Sequence, residues 1–147
     1  MGTFTHAENE YLTMGLLGRF ATVGPDGRPH VTPLAVFLDR QDQVLVIGGH
    51  AGSGMAASKK FRDARRHPDV AVVVDDVASV DPWTPRYMEI RGHAETHLEG
   101  GEEVGERLGA PFPFDPAWIR VRPRRVLALG IETAYEFAAR DVPRTRG

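Results

Sequence analysis

Two extended runs joined by Gly24-Pro25-Asp26-Gly27 constrain this chain more than any other feature. RFATV (19–23) leads into that turn and RPHVTPLAVFLD (28–39) leaves it, both rich in β-formers. A connection this short leaves the two runs as antiparallel neighbours, so a β-hairpin is expected near the start of the chain. Pro29 and Pro33 cannot donate to a ladder, which puts them at an edge, at a bulge or facing a ligand. The polar turn Asp39–Gln43 then delivers VLVIG (44–48) as a third strand.

Other stretches repeat this strand-and-turn grammar. Thr5 and Glu8 have capping-box spacing, so a short helix is expected to run to about Met14, ahead of Gly15 and Gly18. VAVVVDD (70–76) reads as a strand buried on both faces and closed by Asp75 and Asp76. VASVDPWTPR (77–86) reads as an ordered loop whose Trp83 indole must pack. YMEIRGHAETHLE (87–99) alternates, with Tyr87, Glu89, Arg91 and His93 opposite Met88, Ile90 and Gly92. A short helix follows around Glu102–Leu108. WIRVRP (118–123) sets Trp118, Arg120 and Arg122 against Ile119 and Val121, RRVLALGIE (124–132) reads as the last strand, and the tail from about Ala139 to Gly147 is expected to fray. The sum is six or seven strands and two or three short helices, joined as hairpins and not as βαβ units. This predicts a mainly β, antiparallel, closed or nearly closed barrel with peripheral helices, forming one domain over residues 1–147.

Composition narrows the function. A net charge of −2 gives the 147-residue chain no general affinity for nucleic acid or an anionic membrane, so any basic site must be local. WIRVRPRR is one basic stripe, set in an otherwise acidic balance. The chain has no cysteine, which removes disulfides, thiolate metal sites and thiol nucleophiles. Neither a signal-type N-terminus nor a membrane-length apolar run is present, so a cytoplasmic protein is the expectation.

The most distinctive local chemistry lies in GGHAGSGMAASKKFRDARRHPDVAVVVDD (48–76). Its glycines allow close approach of backbone amides, Ser53 or Ser58 can cap the next helix, and the only two lysines, Lys59 and Lys60, stand at that helix start. Unpaired N–H groups beside ammonium groups favour phosphate. The alternative is a solvated amphipathic helix, with Ala57, Phe61 and Ala64 facing the core and Lys59, Arg62 and Arg66 outside. No metal site is expected: His93 and His97 share a strand face about 13 Å apart. No G-x-S-x-G elbow appears and no residue demands the role of general acid or base, a silence that suits a protein whose cofactor carries the chemistry.

Five segments in order, ATVGPDGRPHVTPLAVFLD, VLVIGG, ASKKFRDARRHPDVAVVVDD, RYMEIRGHAE and WIRVRPRRVLALGIE, resemble the pyridoxamine 5′-phosphate oxidase-like split-barrel superfamily, and within it the actinobacterial branch that uses the deazaflavin F420. The resemblance implies a split β-barrel of the FMN-binding-protein type and a homodimer with cofactor sites between subunits. It places His30, Val31, Thr32 and Pro33 along the ring, Ile47 and Gly48 on the adjoining strand, and Ser58, Lys59 and Lys60 at the phosphate. Tyr87 joins them near a position where the flavin-dependent oxidase has glutamine. The implied activity is F420H2-dependent reduction of a small conjugated or quinone-like substrate, placed by Tyr87, His30 or Trp83. Alternatives on the same fold are an FMN-binding oxidoreductase and a non-catalytic flavin, deazaflavin or haem carrier.

Overall fold

The computed structural model describes residues 2–144. Helix α1 (His6–Leu12) starts where the capping box requires: Thr5 Oγ1 accepts the Glu8 N–H at 3.1 Å, and Glu8 Oε1 accepts the Thr5 N–H at 2.9 Å. Strands β1 (Leu17–Val23) and β2 (Pro29–Ala35) form the expected hairpin, in register from Leu17 opposite Ala35 to Val23 opposite Pro29. The second run of that hairpin is nonetheless divided. After the single residue Val36 the chain enters β3 (Phe37–Asp39), which pairs with β4 (Val44–His50) instead.

That division shapes the molecule. With β5 (Asp69–Ser79), β6 (Thr84–His97) and β7 (Phe114–Leu129), the strand order is β2-β1-β5-β6-β7-β4-β3. Strands one residue apart in sequence therefore occupy opposite edges, which forces the sheet to coil until its edges meet. β2 approaches β4 across the seam with no ladder between them, so the barrel stays split. Helix α2 (Lys59–Arg66) packs against β1 and β6, with Phe61 and Ala64 in the core, and α3 (Gly101–Arg107) packs against β7.

The inward residues of every long strand meet in one core, including Phe20, Leu45, Ile47, Val72, Met88, Ile90, Ile119 and Val121, closed by Phe61 from α2. Each such side chain contributes about 1.5–3 kcal/mol by leaving water. A smaller cluster of Val46, Phe114 and Trp118 lies under α3.

Four expectations need correction. β5 is buried on one face only: Val70, Val72 and Val74 point inward, whereas Ala71 and Val73 are half-exposed on the outside. Its apolar run hides an alternation because the outer residues are apolar too. Asp75 and Asp76 do not end it; the strand continues to Ser79, and the supposed loop 77–86 is largely the β5–β6 hairpin, with Trp83 61% exposed at its tip rather than packed. WIRVRP and RRVLALG are one strand, β7, bulged near Pro123. Finally, part of the expected frayed tail is strand β8 (Phe137–Asp141), paired with the second half of β7, which brings the count to eight. Arg140 anchors it, donating to the buried Glu8 carboxylate of α1 and to the Thr3 carbonyl at 2.7 Å. The expectation for 145–147 lies outside the described residues.

Candidate functional site: an outer trough and the start of helix α2

The half-exposed apolar residues of β5 form the floor of a trough on the outside of the barrel. Ala21, Ala71 and Val73 lie at the bottom, Val31 of β2 and Tyr87 of β6 stand beside them, and Arg19, Asp75 and Glu89 supply charge, around a volume of about 470 Å³. A second depression of about 360 Å³ shares Ala21 and Ala71 and continues towards Val23, Pro29, Arg91 and Arg124. The two make one channel running to the β1–β2 turn. Arg19 and Asp75 pair across the first depression at 2.6 Å. Asp76, the next residue, points the opposite way and accepts from Arg86 and from the Tyr11 hydroxyl at 2.9 Å. The Arg86 hydrogen bond, outweighing burial, holds the Asp76 carboxyl below the usual carboxylate range, while burial and Asp76 push the Tyr11 phenol up. Adjacent acids on one strand thus serve different faces, as the period of two requires.

Beside the β1–β2 turn, α2 packs against β1, with Lys59 close to Gly24. Ser58 caps the helix, accepting the Phe61 N–H and donating to the Met55 carbonyl at 2.6 Å. The Lys59 and Lys60 N–H groups, in the first turn, have no intrahelical acceptor. Lys59 Nζ reaches Asp63 Oδ2 at 2.8 Å and lies within 3.2 Å of the point where a side chain on Gly24 would begin. Asp63 is 2% exposed. Burial alone would raise its pKa; the Lys59 hydrogen bond and charge, with His30 and Thr22 behind them, hold it below the ordinary value instead. Lys60 is half-buried and makes no ion pair among the described residues.

The expected site residues fall into three groups. His30 and Thr32 face inward, opposite the buried Thr22 and Phe20, so His30 joins Lys59 and Asp63 at the helix start. Val31 and Pro33 face outward, and Val31 shares the trough with Tyr87. Ile47 and Gly48 lie on β4, across the seam from β2. The Ile47 side chain is in the core, and a Cβ on Gly48 would stand 2.2 Å from the Phe114 ring, so any part they take in binding is through backbone. Of the amphipathic-helix alternative, Phe61 and Ala64 are buried as that pattern requires, but Ala57 lies exposed in the preceding 3-10 turn (Met55–Ala57).

One residue escaped the sequence reading. Asp115, buried at the start of β7, accepts the Gly52 N–H at 2.7 Å and the Met55 N–H at 2.8 Å, with Ser53 Oγ at 3.4 Å. Those backbone bonds hold its carboxyl below the usual range. The glycine-rich loop is an anion cradle, but it cradles the protein's own carboxylate. No local pattern announces this, since Asp115 is 60 residues from Met55.

The residues present offer a flavin-type ligand with a phosphate its parts in two places: an open apolar trough suits a planar ring, and the head of α2, which contributes no residue to the trough lining, has free N–H groups, a half-buried lysine unpaired among the described residues and, beside it, a buried His30 Nδ1 without a hydrogen-bond partner among them. Comparison with known proteins bears on the family and the fold. The chain is 38% identical over 129 residues, 88% of its length and 84% of the relative's, to the 5a,11a-dehydrotetracycline/5a,11a-dehydrooxytetracycline reductase of Streptomyces rimosus. Among solved structures it resembles an F420 reductase (26% identity, TM-score 0.59, 80% of this chain and 94% of that one). It also resembles a conserved hypothetical protein of Mycobacterium tuberculosis (25% identity, TM-score 0.63, 86% and 84%). The family model for pyridoxamine 5′-phosphate oxidase matches residues 4–138. With its eight-stranded split barrel and this match over nearly its whole length, the chain belongs to the pyridoxamine 5′-phosphate oxidase family.

Proposed function

We propose that this protein is an F420H2-dependent reductase acting on a small conjugated or quinone-like substrate. An oxidoreductase on this fold is supported by the family and by the reductase at 38% identity; the deazaflavin and the substrate class are the finer part of the reading. The observation that carries it is the open trough. The trough opens to solvent and Trp83 is not among its lining residues, so in this reading a ring on the Ala71–Val73 floor keeps one face free for a second planar molecule. A carrier would cover that face.

The chemistry a reduced deazaflavin would supply here is a hydride for an unsaturated carbon of the substrate, with the balancing proton coming from solvent. The chain's own residues do the rest. Val31 and Tyr87 confine the ring laterally, while Lys60 and the first N–H groups of α2 hold the phosphate by charge and dipole. The apolar floor excludes water beneath the ring, and Tyr87, as a lining residue with a hydroxyl donor, is the group assigned here to hydrogen-bond a substrate carbonyl. A second copy of the chain packs beside the trough in this reading and leaves its mouth open to substrate; exposed Leu17 and Trp83, at 58% and 61%, are the apolar groups it would shield. No helix among the described residues is long and apolar enough to cross a membrane.

The test is anaerobic mixing of protein and reduced F420 with a panel of quinones and α,β-unsaturated ketones, following reoxidation of the deazaflavin. Turnover that needs the protein and falls in Tyr87→Phe supports the reading. Reoxidation with reduced FMN but not with F420H2 would replace it with the FMN alternative, which the family name itself favours.

A further inference from the structure

Lys59 already has a partner. Its ammonium lies 2.8 Å from Asp63 Oδ2, and Thr22 Oγ1 stands 3.5 Å from the same oxygen, so a phosphate ester arriving at the head of α2 meets a cation that an internal carboxylate occupies. Asp63 is almost completely buried, and a buried carboxylate deprived of its counter-charge is costly. Lys59 cannot simply turn to a ligand unless something else neutralises Asp63.

His30 is the group in position to do so. It is the cross-strand neighbour of Thr22 on the same face of the β1–β2 ladder, a pairing that brings side chains to about 5 Å, and Thr22 touches Asp63. Its Nδ1 is buried and has no hydrogen-bond partner among the described residues, so it has capacity to carry a proton there. The other charged groups around the cluster are few. The β1–β2 turn contributes Asp26 and Arg28, which pair with each other at 3.3 Å. From α2 itself come Lys60, Arg62, Arg65 and Arg66, and the buried inner-face residues of β6, Met88, Ile90, Gly92 and Ala94, are not ionisable.

We propose that Asp63 is the resident occupant of Lys59, that a phosphate ester displaces it, and that His30 takes up one proton from solvent to neutralise the carboxylate left behind. This rests on the phosphate-site reading above. No covalent bond changes: Lys59 exchanges one anion for another, and the proton moves from buffer to the His30 ring. The arrangement makes the site selective, because only a ligand anion able to compete with Asp63 recruits Lys59. It also makes binding weaken as pH rises and imidazole protonation becomes harder.

The experiment is calorimetric titration of the whole chain with F420 near pH ~7.5, in two phosphate-free buffers of different ionisation enthalpy, where free imidazole is mostly neutral. The F420 phosphate is a diester that does not titrate in this range; the ring's acidic hydroxyl does, so the protein's share is read as the difference in proton count between wild type and His30→Gln. The expected difference is uptake of close to one more proton per F420 bound by the wild type. His30→Gln should also weaken binding several-fold. Asp63→Asn, which leaves a neutral amide of the same shape, should show the His30→Gln proton count and bind roughly tenfold tighter, since Lys59 is then free. Circular dichroism checks that both variants fold. Tight binding by the wild type with the same proton count as folded His30→Gln overturns the proposal and leaves the phosphate site intact. Failure of both the wild type and Asp63→Asn to bind F420 overturns the phosphate site and this proposal together.

Discussion

Two regions only a few residues apart look alike in sequence and behave oppositely in the structure. The glycine loop at Gly52–Met55 and the start of α2 at Ser58–Lys60 both present backbone N–H groups suited to an anion. In the loop the anion is already there: Asp115 takes the Gly52 and Met55 amides and buries itself in doing so. At the helix start, Ser58 satisfies one N–H, Lys59 is held by Asp63, and Lys60 has no ion partner among the described residues. A satisfied cradle is architecture, and an unsatisfied one of the same chemistry is where a ligand belongs.

Substitutions can break or sharpen that contrast. The largest effect is expected from Asp115→Ala, which orphans the buried Met55 N–H and releases the Gly52 N–H, and should cost about 3 kcal/mol of stability, seen as a fall in Tm. Asp115 has a depressed folded-state pKa, so its contribution is complete above the unfolded carboxylate value and disappears as pH falls through the folded one; the stability gap between wild type and Asp115→Ala should therefore close below about pH 4. A gap unchanged in acid would mean that the loop is held by packing alone.

Next comes Lys59→Met, which leaves Asp63 buried without its cation. Because Lys59 is 47% exposed and solvent screens the pair, the expected loss is only about 1–2 kcal/mol, measured by urea denaturation at neutral pH. Ser58→Ala removes the cap on the Phe61 N–H and should cost about 1 kcal/mol. Lys60→Ala should change stability least, by under about 0.5 kcal/mol. If Lys60→Ala were the most destabilising of the four, the helix start would be architecture as well.

The same contrast explains what could be read in advance. The capping box of Thr5 and Glu8, the GPDG hairpin and the alternation of β6 are local patterns, and local physics settles them. The VAVVV run of β5 misled because periodicity separates faces only when one is polar; here Ala71 and Val73 are apolar for the sake of the trough. β8 was invisible because Phe137–Asp141 is a strand only by virtue of its β7 partner and the Arg140–Glu8 pair, 132 residues apart in sequence. Composition singles out the lysines as the candidate anion site, since they are the only two in the chain, whereas the partners of Asp63 and Asp115 required the fold.

The most direct test of the central claim, that the head of α2 holds the phosphate of a deazaflavin lying in the trough, is a fluorescence titration of wild type and Lys60→Ala with F420 and, in parallel, FMN. The prediction is that F420 binds the wild type more tightly than FMN does, and that Lys60→Ala loses at least about tenfold in affinity while keeping its Tm. Equal F420 affinity in the two proteins, or binding of neither ligand to the wild type, would contradict it.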